Sequence, residues 1–102
     1  MRVIAISTLR TFWSKAAYRD SEQALRAWYD EACKARWLQP ADIERAYASA
    51  SILKNRRVVF NVKGNDYRLI VDVSYKLQLV FVKFVGTHRQ YDRVDAETVD
   101  TS

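Results

Sequence analysis

The residues able to do chemistry lie late in the chain. His88 is the only histidine, and Arg89, Tyr91 and Arg93 follow it within five residues. Imidazole gains and loses a proton near neutral pH, so a histidine in this setting suits proton transfer. Arg68 stands twenty residues earlier, within a basic stretch that also holds Arg57, Asn61, Lys63 and Lys83. Guanidinium and ammonium groups hold phosphate oxygens through charge-assisted hydrogen bonds. A tyrosine can stack on an unpaired base. Each residue also has an ordinary reading. A lone histidine after a strand is more often a surface or capping residue than a catalyst. A tyrosine packs, and a lysine in an apolar strand snorkels to the sheet rim. The residue types alone leave both readings open. One Cys and one His cannot build a structural zinc site. There is no Gly-rich phosphate loop and no Ser-His-Asp spacing, so neither metal nor cofactor is expected.

The chain that must position these groups has 102 residues, enough for one domain spanning 1–102. With 49% hydrophobic and 28% charged residues it is globular in composition, not disordered. The longest uncharged apolar run, Leu79 to Val82, is far too short to span a membrane. The N-terminal stretch lacks the long apolar core of a signal peptide. With a single cysteine, Cys33, the expected setting is reducing and cytoplasmic. The net charge is +5, unevenly spread. Residues 1–51 carry +2, residues 52–93 carry +6, and the tail 94–102 carries −3. A positive excess on one segment is the footprint of a surface that meets phosphates, although +5 is also compatible with charge that only keeps a domain soluble. The acidic tail reads as flexible.

Periodicity gives the elements. Val3, Ile4 and Ile6 predict a strand over 2–6, with Ser7 or Thr8 capping a helix. Leu9, Phe12, Trp13 and Ala16 make one helical stripe. Asp20 with Gln23 three residues on resembles a capping box for a second helix, which continues through Leu25, Trp28, Ala32 and Ala35 and ends before Pro40. Residues 41–55 read as a turn of helix and a loop. Residues 57–62 and 67–74 alternate as strands around the turn Lys63-Gly64-Asn65-Asp66. Leu77 to Val85 is nearly all apolar, which predicts an inner strand covered on both faces. Arg57, Asn61 and Arg68 share one parity, opposite to Phe60 and Leu69. Trp13, Trp28 and Trp37 are expected in the core, and Cys33 is expected to be buried and inert. The fold class is α+β: an N-terminal strand and a helical hairpin packed on a small sheet with three later antiparallel strands.

Two blocks make the chain resemble a known family. Phe60-Asn61-Val62-Lys63-Gly64-Asn65-Asp66-Tyr67-Arg68-Leu69 is followed, about 20 residues on, by Thr87-His88-Arg89-Gln90-Tyr91-Asp92. The pair resembles the HigB toxins of the RelE-like superfamily, and the resemblance covers essentially the whole chain. It implies a RelE-like fold and a ribosome-dependent mRNA endoribonuclease, held in check by a HigA-type helix-turn-helix antitoxin. It places Arg68 on the scissile phosphate and makes Arg68, His88 and Tyr91 the catalytic set. Arg57, Asn61, Lys63, Lys83 and Arg89 become RNA contacts, with the match on the strand 57–62 loose. Where relatives commonly carry an acidic residue, this chain has Gln90.

The implied reaction is attack of a ribose 2′-OH on the adjacent phosphate, leaving a 2′,3′-cyclic phosphate and a 5′-OH. A cationic group would stabilise the charge that develops, and the imidazole would move a proton; its assignment as base or acid stays open. A non-catalytic RNA- or ribosome-binding module of the same fold is the alternative reading. A plain protein-interaction domain is a third, disfavoured by the basic stretch.

Overall fold

The computed structural model describes residues 1–101. Strand β1 (Arg2–Ile4) leads into helix α1 (Ile6–Ser14), a 3₁₀ segment (Ala16–Ser21) and helix α2 (Glu22–Lys34). Helix α3 (Pro40–Ala46) and the short strand β2 (Ser51–Ile52) precede β3 (Arg57–Val62), β4 (Tyr67–Ser74) and β5 (Leu79–Thr87). A four-residue helix, α4 (His88–Tyr91), follows β5 directly. The strands form one mixed sheet in the order β1-β5-β4-β3-β2. Among the described residues only β1 runs parallel to its neighbour, pairing Arg2 with Leu79 through Ile4 with Phe81. The expected α+β arrangement is therefore present, with the N-terminal strand inside the sheet.

The helices cover one face. Leu9, Phe12 and Trp13 of α1 and Leu25, Trp28 and Ala32 of α2 are buried in one cluster with Val58, Phe60, Leu69, Val71, Val80 and Val82. Period 3.6 on the helices meets period 2 on the strands, so both sequence patterns point into the same core. All three tryptophans lie in it. Phe60 is its centre, with the rings of Trp28, Trp37 and Tyr47 5.5, 6.2 and 5.0 Å away.

The other face carries a smaller cluster of Val59, Ile70 and Phe84, covered by Leu53, Tyr91, Val94, Ala96 and Val99. The acidic tail, expected to be flexible, lies along this face as part of the fold. Its apolar residues cover an apolar patch, and its polar groups meet the flanking cations. Val99 O accepts a hydrogen bond from Arg57 Nη1. Asp100 Oδ2 stands 3.1 Å from Lys83 Nζ. Thr101 N–H donates to Lys83 O at 2.8 Å.

Several local expectations are corrected. The first strand ends at Ile4, because Ala5 takes a left-handed conformation (φ 72°) and Ile6 already belongs to α1. Asp20 does not cap α2. The 3₁₀ segment places Ser21 at that position, and the Asp20 carboxylate is drawn to Lys63 and Tyr67 instead. Helix α2 ends at Lys34, before Pro40 as expected, but Pro40 itself opens α3 at its first turn, where its missing N–H costs nothing. Cys33 is exposed, since the buried stripe of α2 runs through Leu25, Trp28 and Ala32.

Removing residues 95–102 should uncover Val59, Ile70 and Phe84. The expected cost is roughly 1–3 kcal/mol of unfolding free energy, the scale of exposing one or two aliphatic side chains. Urea unfolding of full-length and shortened chains measures it; equal midpoints would show that the face needs no cover.

Candidate functional site

The site is built where β4 and β5 meet α4. Between β3 and β4, Lys63 (φ 54°) and Gly64 (φ 65°) take consecutive left-handed conformations, which turns the chain tightly. That turn brings Asn61 opposite Arg68. On its other side Arg68 faces Gly86 of β5, so its side chain leaves the sheet beside a residue without one. Arg68 Nη1 donates to Asn65 O at 2.9 Å and to Tyr67 O at 3.3 Å. These bonds engage one guanidinium nitrogen and hold the group over the Tyr91 ring, 5.9 Å from its centroid.

Tyr91 and His88 come from α4, at opposite ends of one helical turn. Thr87, the last residue of β5, caps that turn. Its side chain accepts from Gln90 N–H, and its own N–H donates to the Gln90 side chain, a reciprocal capping box. His88 is exposed, and its Nδ1 lies 3.8 Å from Asp92 Oδ1. The sequence reading placed no carboxylate beside the histidine. The i, i+4 spacing across a helix was the signal available for it.

The other sequence-predicted residues divide by location. Asn61, across the strand from Arg68, donates weakly to Ser49 O at 3.4 Å. Arg89 is exposed on α4. Arg57 shares the face of Arg68 but lies four register positions away, about 13 Å along the strand. It is buried under the tail, so the expectation of an exposed RNA contact is corrected there: the tail occupies that end of the face. Lys83 is likewise engaged, by Asp100 and by the Phe81 ring 5.5 Å away. Lys63 turns to Asp20, 2.6 Å away, and Asp66, 3.7 Å away. Thus Arg68, Tyr91, His88, Asn61 and Arg89 gather around one end of the sheet, while Arg57, Lys63 and Lys83 hold partners within the chain.

Lys15 is a cation the sequence does not point to, and Arg93, though adjacent to the motif, has no assigned role there. A groove of about 300 Å³ runs beside α4, lined by Phe12, Lys15, Tyr18, Gln90 and Arg93 among others. Among the described residues no ion pair engages Lys15, Arg89 or Arg93. Lys15 lies far from the basic stretch in sequence and only the fold brings it here. No helix among the described residues is long and apolar enough to cross a membrane.

The α+β fold, with its five-stranded mixed sheet, is consistent with a RelE-like toxin. The profile of the HigB toxin family, described as the RelE-like toxic component of a toxin–antitoxin system, matches residues 21–94. The chain belongs to that family, and membership implies an antitoxin partner. No curated protein matches it.

Asp20 carries the electrostatics that anchor the β3–β4 turn. The Lys63 ammonium and the Tyr67 hydroxyl hold its carboxyl below the ordinary 3.8. Burial, with the carboxylate beside it, pushes Tyr67 up to about 12. A carboxyl lowered on folding contributes stability that is present above its unfolded pKa and lost as pH falls through the folded one. Asp20→Asn should therefore destabilise the protein at pH 7. Its deficit relative to wild type should shrink as pH drops below about 4. Paired urea titrations at pH 7 and pH 3 check this; a deficit independent of pH would contradict it.

Proposed function

We propose that this toxin is an mRNA endoribonuclease that acts on the ribosome, in the cytoplasm, with Arg68, His88 and Tyr91 as its catalytic groups. The observation that carries the reading is the meeting of Arg68 with the α4 turn. A guanidinium lies over the Tyr91 ring, and the only histidine stands one turn away, exposed. Family membership supplies the toxin context.

The chemistry follows from what the three groups offer. Attack of the 2′-oxygen on phosphorus forms one P–O bond and breaks the bond to the 5′-oxygen. Arg68 has guanidinium N–H groups left over from its two carbonyl bonds to face the phosphate oxygens as charge builds on them. His88 moves a proton, either from the 2′-OH or to the departing 5′-oxygen, and Asp92 beside Nδ1 orients the ring. Tyr91 stacks on the base at the cut and keeps the guanidinium in place. Arg89, Lys15 and Arg93 add positive charge around the strand; Asn61 offers an amide at its edge. Lys63, Lys83 and Arg57 support the surface through their own ion pairs and hydrogen bonds.

This is a short inventory for a ribonuclease. It holds one imidazole and no group built to bend RNA into line. Aligning a nucleophile with its target is worth several kcal/mol or more. On this reading the ribosomal A site supplies the alignment, and the exposed cations dock on RNA with an affinity that falls as salt rises. The implied antitoxin is of the HigA helix-turn-helix type and covers this basic surface.

The test incubates purified toxin with naked mRNA and with mRNA on programmed ribosomes. Cleavage should require ribosomes and leave a 2′,3′-cyclic phosphate end. His88→Ala and Arg68→Ala should each slow it by about 10²-fold or more, with thermal stability nearly unchanged. Efficient cutting of naked RNA would point to a free endoribonuclease. Slowed translation without any cut would favour a non-catalytic ribosome-binding module.

A further inference from the structure

Helix α4 is one turn long, far below the length at which a helix holds itself. Its position must be imposed from outside, and much of what imposes it passes through Gln90. The Gln90 Oε1 accepts from Thr87 N–H at 2.8 Å, and the Gln90 N–H donates to Thr87 Oγ1 at 3.2 Å. The remaining amide group, Nε2, donates to Tyr18 Oη at 2.9 Å. Tyr18 lies flat on Phe12, ring centroids 4.4 Å apart and planes 2° from parallel. Phe12 belongs to the buried core. A continuous chain of contacts thus runs from the core through Tyr18 and Gln90 to the residue that starts α4.

On the side of Gly86 the packing is fitted to this brace. A Cβ on Gly86 would stand 2.8 Å from Gln90 Oε1 and 2.7 Å from the Phe84 ring. The missing side chain at position 86 is the space the Gln90 amide fills.

We infer that Gln90, braced by Tyr18, is the positioning residue of the site, fixing where His88 and Tyr91 stand relative to Arg68. The inference rests on the reading of those three as the RNA-cleaving groups. Gln90 acts through them: its side chain is spent on Thr87 and Tyr18. An amide fits because its oxygen takes the Thr87 N–H while its nitrogen remains for the tyrosine. A carboxylate would serve nearly as well, accepting from Thr87 N–H and from the Tyr18 hydroxyl, which can reverse its bond. Alanine at 90 offers neither contact, and phenylalanine at 18 removes the outer one while keeping the stack on Phe12.

The experiment compares Gln90→Ala, Gln90→Glu, Tyr18→Phe and the double variant Gln90→Glu/Tyr18→Phe with wild type and with His88→Ala. Single-turnover cleavage on programmed ribosomes gives a rate constant and a half-saturating concentration for each. Gln90→Ala should lower the rate constant about tenfold or more, the scale of a misplaced reacting group, with half-saturation changed less than about threefold. Gln90→Glu should restore most of the rate, and the added Tyr18→Phe should take part of that recovery away. Amide hydrogen exchange at Tyr91–Val94 should quicken in Gln90→Ala while the strands keep their protection. A Gln90→Ala protein with wild-type rate and unchanged exchange at α4 overturns the inference. So does a Gln90→Glu variant as slow as Gln90→Ala. If Gln90→Ala fails to fold, Tyr18→Phe decides alone: a slower rate at unchanged half-saturation supports the brace, and a wild-type rate overturns it. Failure of the functional reading looks different, because His88→Ala would then cut as fast as wild type.

Discussion

Lys83 sits between Val82 and Phe84 with no partner of its own on β4. Val82 pairs with Val71 and Phe84 with Ile70, so β5 holds one residue more than its neighbour at that point. Such a bulge exchanges the faces of every residue beyond it and tightens the local twist. Val80 and Val82 point into the helical core; after the bulge Phe84 points to the opposite face and Val85 returns to the core. Were Lys83 paired as an ordinary strand residue instead, Phe84 would enter the helical core and the second face would lose its largest apolar side chain. The patch that the tail covers would then be reduced to Val59 and Ile70. The bulge also sets the end of the strand, where Gly86 meets Arg68 and Thr87 meets Tyr67. The site is assembled on that end.

The second face is thereby divided along its length. At one end Arg57 and Lys83 lie under the tail, satisfied by a backbone carbonyl and a carboxylate of the same chain. In the middle three apolar side chains are covered by Leu53, by Tyr91 of α4 and by Val94, Ala96 and Val99 that follow it. At the other end Arg68 meets the aromatic ring of α4 in reach of solvent. The charge excess of residues 52–93 is therefore a poor guide to how much positive surface faces outward. Arg56 is paired bidentately with Asp72, and Lys63 and Lys83 have carboxylates of their own. Arg89 and Arg93, which have no ion pair among the described residues, lie at or beside α4, and Lys15 joins them from the opposite end of the chain.

The sequence was most legible where a single period ran unbroken. The alternation over 57–62 and 67–74 located two strands, and their parity put Arg57, Asn61 and Arg68 on one face, as observed. The stripe through Leu9, Phe12 and Trp13 identified the face of α1 that needs a sheet. Legibility failed where a contact distant in sequence overrides a local signal. Asp20 has every mark of a helix cap, yet Lys63 and Tyr67 compete for its carboxylate from more than 40 residues away. The tail is acidic and reads as solvent-loving, yet Val94, Ala96 and Val99 are spaced widely enough to cover a hidden patch. Within the site, the motif pair gave Arg68, His88 and Tyr91 by type. It gave neither Asp92 as the neighbour of His88, which follows only once residues 88–91 are helical, nor Lys15 and Arg93 in the adjoining groove, which depend on how that turn is set on the sheet.

A turn of four residues is a weak place to put two groups that must meet a third on a strand. Its backbone bonds alone would leave it fraying in water. The arrangement gains definition from neighbours that are themselves rigid: a capping residue at the end of a paired strand, a tyrosine stacked on the core, and a ring covering Ile70 and Phe84. Each of these is a small contact, on the order of 1 kcal/mol. Their sum is enough to favour one placement of α4 without making it immovable. For a protein proposed to complete its site only against ribosome-bound mRNA, that balance is apt. On that proposal the strand end holds Arg68 fixed for the phosphate, and the braced turn brings His88 and Tyr91 close while leaving them within reach of an RNA already bent by another body.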